Sequence, residues 1–309
     1  MRTHNFNYCT NHEIEEYLKR NDVIFIPVGN CEMHNPYPVD VEGVQAEAWA
    51  KLFAERYDGL YLPNLSYFPA GATTCGRGTI QVGMFEGMHY IYAISRSLLR
   101  QGFRRQIFIP SHGPSAVMVL PVIHQLLDDT KAPFLILQPN YLFNQKGLTK
   151  QKFISHGSYK NPVRWKFKIL SDEEGMSDSA MWLGPYEVVG RLDCVPTGAE
   201  ANITGTVAED GWLLNAWFPK HDIINECSSL HAPAPYFYTY EYQHAGGRIP
   251  ETREEIEKEA KIGAAWMKDL TDRCGFEEHL QVLRELDEHI QKNVLPVVGE
   301  NLPENRWSY

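Results

Sequence analysis

The feature that most constrains this chain is an alternation of short apolar runs with longer stretches of helical spacing. "VIFIPV" (23–28) reads as a buried strand, and "LYLP" (60–63), "QIFIP" (106–110) and "PFLILQP" (133–139) as further short strands. "VQAEAWAKLFAERYDG" (44–59), "MHYIYAISRSLLRQG" (88–102) and "AVMVLPVIHQLLDD" (116–129), the last despite Pro121, read as helices between them. "TNHEIEEYLKR" adds a first helix, with Thr10 and Glu13 at capping-box spacing, and Gly59 and Gly102 supply stop signals. Strand-helix alternation of this kind predicts an α/β fold, a three-layer sandwich with a largely parallel sheet flanked by helices.

Beyond residue 140 the pattern loosens. Residues 144–180 are polar and mixed, and 203–218 reads as a hairpin around Asp210 and Gly211. "TREEIEKEAKIGAAWMKDLTDR" is an amphipathic helix, and 276–292 is another. No repeat or Gly/Ser linker divides the chain, so 1–275 is expected to be one elaborated domain and 276–309 a C-terminal helical extension.

With 309 residues and 43% hydrophobic content, the chain can bury a full core. The net charge of −10, with no basic block, argues against nucleic acid or an anionic membrane as partner and leaves a small molecule. No stretch reaches the ~18 apolar residues of a membrane span, and the N-terminus lacks the apolar core of a signal peptide, so a cytoplasmic protein is expected. Its six cysteines form no C-x-x-C pair, which predicts reduced thiols.

Two polar loops leave the carboxyl ends of predicted strands, where ligands collect in open α/β sheets. One carries Glu32 and His34, with Asp40 and Glu42 close behind; the other is "IPSHGPS", with His112. Carboxylates together with imidazoles suit zinc, manganese or iron in hydrolytic sites, because mixed oxygen and nitrogen ligation leaves positions open for water. "GATTCGRG" lacks the Gly-Lys-Ser/Thr ending of a phosphate loop. His221, His231 and His244 are assigned no role, and Arg104-Arg105 reads as a solvated face or a subunit contact.

"IPVGNCEMHNPYPVDVE" resembles the signature of the creatininase (creatinine amidohydrolase) family: a strand ending Pro-Val-Gly, then Glu-x-His-Gly-Pro, Leu-Pro and an aspartate that opens a helix. "CGRGTIQV" (75–82) stands in place of that family's Phe-Pro-Gly-Thr, and "GFRRQIFIPSHGPS" in place of its Gly-x-Arg-Arg and Asn-Gly-His. The resemblance spans about residues 10–275 and is strong in the first half and faint from 140 to 245.

It implies a two-metal site with Glu32, His34 and His112 as ligands. A carboxylate must bridge two cations ~3.5–4 Å apart. Glu42 fits that position with a single deletion near Tyr37, and Asp40 keeps the family's residue type at the cost of a two-residue shift. Pro114 stands where creatininase carries a second-metal glutamate. In "EEGMSDSAMWLG" (173–184), Asp178 is the candidate for the missing ligand, and Glu173 replaces a family histidine that helps to protonate a departing amide nitrogen. Thr73, Thr74 and Arg77 lie in the loop that reaches substrate in the family.

The resemblance further implies a homo-oligomer, with a hexamer the expected number, and a small cyclic polar substrate opened by hydroxide held between two metals. Loss of the histidine favours an enolate over an amine as leaving group. The 3-dehydro-scyllo-inosose hydrolases, which cleave a C–C bond of a cyclic polyhydroxylated β-diketone in inositol breakdown, are then the most compatible group. A cyclic amide or formamide amidohydrolase is the alternative, and a non-catalytic metal- or sugar-binding protein a third.

Overall fold

The computed structural model describes residues 1–34, 36–70, 78–151, 169–170, 177–201 and 249–299. Four parallel strands, β1 (Val23–Val28), β2 (Leu60–Tyr61), β3 (Arg105–Pro110) and β4 (Phe134–Ile136), form a sheet in the order β2-β1-β3-β4. β1 and β3 run side by side in full register, from Val23 opposite Arg105 to Val28 opposite Pro110, so their carboxyl ends open at the same level.

Alternation along these strands divides the core. Phe25, Ile107 and Ile109 face Trp49, Phe53 and the alanines of helix α2 (Val41–Arg56). Ile24, Ile26, Val28 and Phe108 face the other way, onto helices α3 (Met84–Gln101) and α4 (Gly113–Thr130), through Ile91, Leu98, Met118 and Val122. The layers are those expected: helix, parallel sheet, helix. The helix after β1 and the helix after β3 therefore lie on opposite faces, and the crevice between the two strand ends is the topological switch point of the sheet.

Local chemistry accounts for most boundaries. Thr10 and Glu13 form the capping box expected at the start of α1 (Asn11–Leu18). Gly102, at φ +107, ends α3 as predicted. Gly59 does not end α2, which stops at Arg56; Asp58 makes the left-handed turn at φ 52, and Gly59 instead passes close to the Phe25 ring. After β4 come a short helix, α5 (Pro139–Gln145), and the antiparallel pair β5 (Lys150–Gln151) and β6 (Ile169–Leu170).

A helix absent from the sequence expectation, α6 (Asp178–Val189), follows Ser177, whose hydroxyl accepts from the Ala180 N–H, and ends at Gly190. It packs on α2 and on α7 (Arg253–Arg273). The predicted final helix is present as α8 (Glu277–His289), and the Phe276 just before it enters the core against Phe25 and Phe53. Arg104-Arg105 is not a solvated face: Arg105 is 5% exposed and paired with Asp22, and Arg104 holds Asp287 at 2.9 Å. The four described cysteines are free thiols, as expected. Among the described residues, no helix is long and apolar enough to cross a membrane. The predicted hairpin at 203–218 and His221, His231 and His244 lie outside the described residues.

Candidate metal centre

The site begins with two glycines. Beyond β1, Gly29 lies so close to the first turn of α2 that a Cβ on it would fall 2.4 Å from the Gly43 Cα. Only a bare backbone permits this approach. It brings the loop carrying Glu32 and His34 against the helix turn carrying Glu42. The Ser111 hydroxyl, at the end of β3, donates to the Glu42 carbonyl oxygen at 2.5 Å and ties in the third segment, which carries His112. The loop itself is pinned by Glu32 N–H to Val39 O at 2.8 Å, by Met33 N–H to Thr79 Oγ1 at 3.2 Å and by Ile80 N–H to Cys31 O at 3.0 Å.

Four sequence candidates meet here. Ligand atoms of Glu32, His34 and Glu42 all lie within 4.8 Å of one another. His112 Nδ1 is 2.7 Å from Glu42 Oε2 and 3.5 Å from Glu32 Oε2, and His34 Nε2 is 3.8 Å from Glu42 Oε1. The two Glu42 oxygens thus look toward different imidazoles. Each imidazole also touches a backbone carbonyl with its other nitrogen: His34 Nδ1 to Glu32 O at 3.2 Å, and His112 Nε2 to Ala70 O at 3.2 Å. In the neutral rings those nitrogens carry the proton, so the lone pairs of His34 Nε2 and His112 Nδ1 point at the carboxylates.

Glu32 and His34 are buried and Glu42 is nearly so. Two carboxylates in so dry a place call for positive charge. Burial opposes a charged His112, but Glu42 and Glu32 outweigh it and push its pKa up to about 9. Two carboxylates that raise the pKa of an imidazole against burial, beside two imidazoles whose neutral forms turn a lone pair inward, make a donor set that fits a divalent metal.

The other candidates are placed differently. Asp40 is the residue before α2, and its carboxylate accepts from Tyr186 Oη at 3.2 Å and from Arg191, both on or just past α6. Asp178 is the first residue of α6, and its side chain is outside the described set. Glu173, Thr73, Thr74 and Arg77 lie outside the described residues. The sequence did not single out Asn30, whose Nδ2 donates to Glu32 Oε2 at 2.8 Å, or Trp182, whose ring lies 6.2 Å from that of His34. For Asn30, a signal existed in an amide two residues before the glutamate at a strand end; for Trp182 there was none, since α6 itself went unseen.

Comparison with known proteins identifies a family for the chain. The family model described as "Creatininase: Creatinine amidohydrolase" matches residues 7–175. A curated relative, the 3-dehydro-scyllo-inosose hydrolase of Thermotoga maritima, is 24% identical over 250 residues, covering 78% of this chain and 69% of its own. Among solved structures, one titled "Creatininase Mn" superposes with a TM-score of 0.51 at 17% identity, covering 90% of this chain and 98% of its own. A mutant creatininase described as of Zn-Zn type gives 0.52 at 17% identity, covering 90% and 99%. At that identity the solved structures speak for the fold alone.

Proposed function

The chain belongs to the creatininase family and is a hydrolase, and from that premise we propose that it opens a cyclic polyhydroxylated β-diketone of the 3-dehydro-scyllo-inosose type by C–C hydrolysis, as a step of inositol breakdown. The observation that carries the hydrolytic part is the meeting of Glu32, His34, Glu42 and His112 at the ends of β1 and β3. The substrate part is supported by similarity to the Thermotoga maritima hydrolase. It is also supported by Glu173, which stands in place of the creatininase histidine that helps to protonate a departing amide nitrogen.

We assign two divalent ions to the site, zinc, manganese or iron, with zinc and manganese the ions named for the solved creatininases. Bound there, a divalent ion supplies Lewis acidity, worth several kcal/mol of stabilisation where charge develops on a carbonyl oxygen. The side chains hold it in place. Glu42, with one oxygen toward each histidine, would be the carboxylate shared by the two ions, its charge offsetting theirs. Glu32, His34 and His112 would complete the first set of ligands, the carbonyls of Glu32 and Ala70 keeping both neutral imidazoles in the tautomer that presents a lone pair. Asp178 is proposed as the further ligand, Glu173 as an acid, and Thr73, Thr74 and Arg77 as substrate contacts.

In the reaction, a water oxygen forms the new C–O bond at one ring carbonyl and the adjacent C–C bond breaks. Its electron pair leaves as an enolate conjugated with the second carbonyl, and protonation gives an open-chain keto acid. An enolate leaves far more readily than an amide nitrogen, for which a positioned acid is worth ~10²–10⁴-fold in rate. We place the hydrolase domain at 1–275, with 276–309 as an extension, of which Phe276 and Leu283 pack into the same core. We include a homo-oligomer, with a hexamer as the expected number, which light scattering would check.

The deciding assay compares turnover of an inosose diketone with that of creatinine and related lactams at matched metal loading. Diketone opening that places one solvent oxygen in the new carboxylate is the expected result. Brisk lactam hydrolysis without diketone turnover would overturn the C–C assignment in favour of an amidohydrolase.

A further inference from the structure

We infer that Asn30 is a positioning residue for the site, fixing the rotation of the Glu32 carboxylate; this rests on the metal-site reading above. Asn30 follows directly on the glycine that ends the β1 approach to α2, and it is 1% exposed. Its Nδ2 donates to Glu32 Oε2 at 2.8 Å, the same oxygen that lies 3.5 Å from His112 Nδ1. The amide cannot be turned over, because its carbonyl oxygen would then face a carboxylate oxygen at that distance with no proton between them.

What the orientation costs points to its purpose. The Asn30 Oδ1 atom is buried and has no hydrogen-bond partner among the described residues. A buried acceptor left unmet lowers stability, so an apolar side chain would serve the fold better at this position. The gain lies in the charge-assisted bond to Glu32, which holds one carboxylate oxygen before any ion arrives. The backbone on either side is fixed as well: Gly29 abuts Gly43, the Asn30 carbonyl oxygen lies 3.5 Å from where a Gly43 Cβ would be, and the Glu32 N–H is bonded to Val39. Asn30 therefore presents its donor from a rigid platform.

The test uses the full chain, stripped of metal, with the variants Asn30→Ala and Asn30→Ser. Zn²⁺ and Mn²⁺ affinities are measured by competition with a chromophoric chelator, Co²⁺ uptake by its visible spectrum, and folding by thermal melts of the ion-free proteins. Asn30→Ala should fold, bind metal about 10–100-fold more weakly, and shift the Co²⁺ bands. Asn30→Ser, which keeps a short donor, should recover part of that loss. If the wild type binds metal and Asn30→Ala binds it as tightly with the same Co²⁺ spectrum, this assignment alone falls. If the wild type takes up no metal, the metal-site reading falls and takes this one with it. Failure of both variants to fold would also overturn the assignment, since it would make Asn30 a residue of the fold.

Discussion

Replacing Gly29 by alanine should damage the site more than the fold. The new Cβ would lie 2.4 Å from the Gly43 Cα and 2.9 Å from its N, both backbone atoms in the first turn of α2. Ordinary contact begins at 3.4 Å, so the end of β1 and the start of α2 must part by about 1 Å. Overpacking of this kind costs ~1–3 kcal/mol, and the stiffer unfolded chain returns ~0.4–1 kcal/mol, which leaves a net loss of at most about 2.6 kcal/mol. The parting also carries Glu42 away from His112 and Ser111, now at 2.7 and 2.5 Å. A displacement of about 1 Å at reacting groups costs on the order of 10²-fold in rate. Gly59→Ala is the control: its Cβ would meet the buried Phe25 ring at 2.7 Å, near the other end of β1. Urea denaturation should show comparable losses of stability for the two variants, while chelator competition should show weakened metal binding only for Gly29→Ala. Normal metal binding by Gly29→Ala, or equal weakening in both, would refute the reasoning.

His34→Ala and His112→Ala should each fold and lose metal, and normal stoichiometry by elemental analysis would remove that residue from the ligand set. Glu42→Gln should lose metal, since an amide brings no charge to offset two cations. Asp40→Asn should keep metal and lose about 1 kcal/mol of stability, because its half-exposed partner Arg191 limits the strength of that pair; the opposite ranking in metal content would hand the bridge to Asp40. Glu47 is raised above the ordinary glutamate pKa, chiefly by burial, against the hydrogen bond it accepts from the Asn64 N–H. The folded state therefore binds that proton more tightly than the unfolded state, and the ionised side chain destabilises the fold above the ordinary glutamate range. Glu47→Gln, which can still accept from Asn64, should raise stability in urea at neutral pH and lose that advantage under acid conditions. An advantage that persists in acid would show that charge is not the cause.

The sheet was legible because β1, β2 and β3 are buried on both faces and β4 is partly buried, so that they read as continuous apolar runs. Helices α3 and α7 were legible for the opposite reason, since each keeps one wet face and so carries a period. α6 shows where that signal fails. It lies against both α2 and α7, with Ala180, Leu183 and Tyr186 buried, a proline at 185 inside it and a glycine at 184 packed on Gly263. A helix enclosed on most sides has no polar face to alternate with, and Pro185 and Gly184 read as breakers. Gly59 was misassigned for a related reason: a glycine that admits a neighbouring ring looks, in sequence, like one that ends a helix.

The choice between Asp40 and Glu42 shows how the site itself could be only half read. Glu32, His34 and His112 were marked as candidates by residue type and position at strand ends together with the resemblance to the creatininase signature. Which acid faces the crevice depends on where α2 begins, and helix starts are uncertain by a residue or two from sequence. With Val41 as the first helical residue, Asp40 precedes the helix and Glu42 falls within its first turn. Two residues on a helix are separated by about 200° of rotation, so the two carboxylates point nearly opposite ways. Only one of them can face the β1–β3 crevice. Gly43 decides which, because its missing side chain is what lets that turn press against Gly29, and it brings the neighbouring Glu42 to His34 and His112. Asp40 is left on the far side, where Tyr186 and Arg191 take it up and fasten the start of α2 to α6. The paired glycines are therefore the sequence signal that distinguishes the two acids, but they become one only when strand end and helix turn are known to touch.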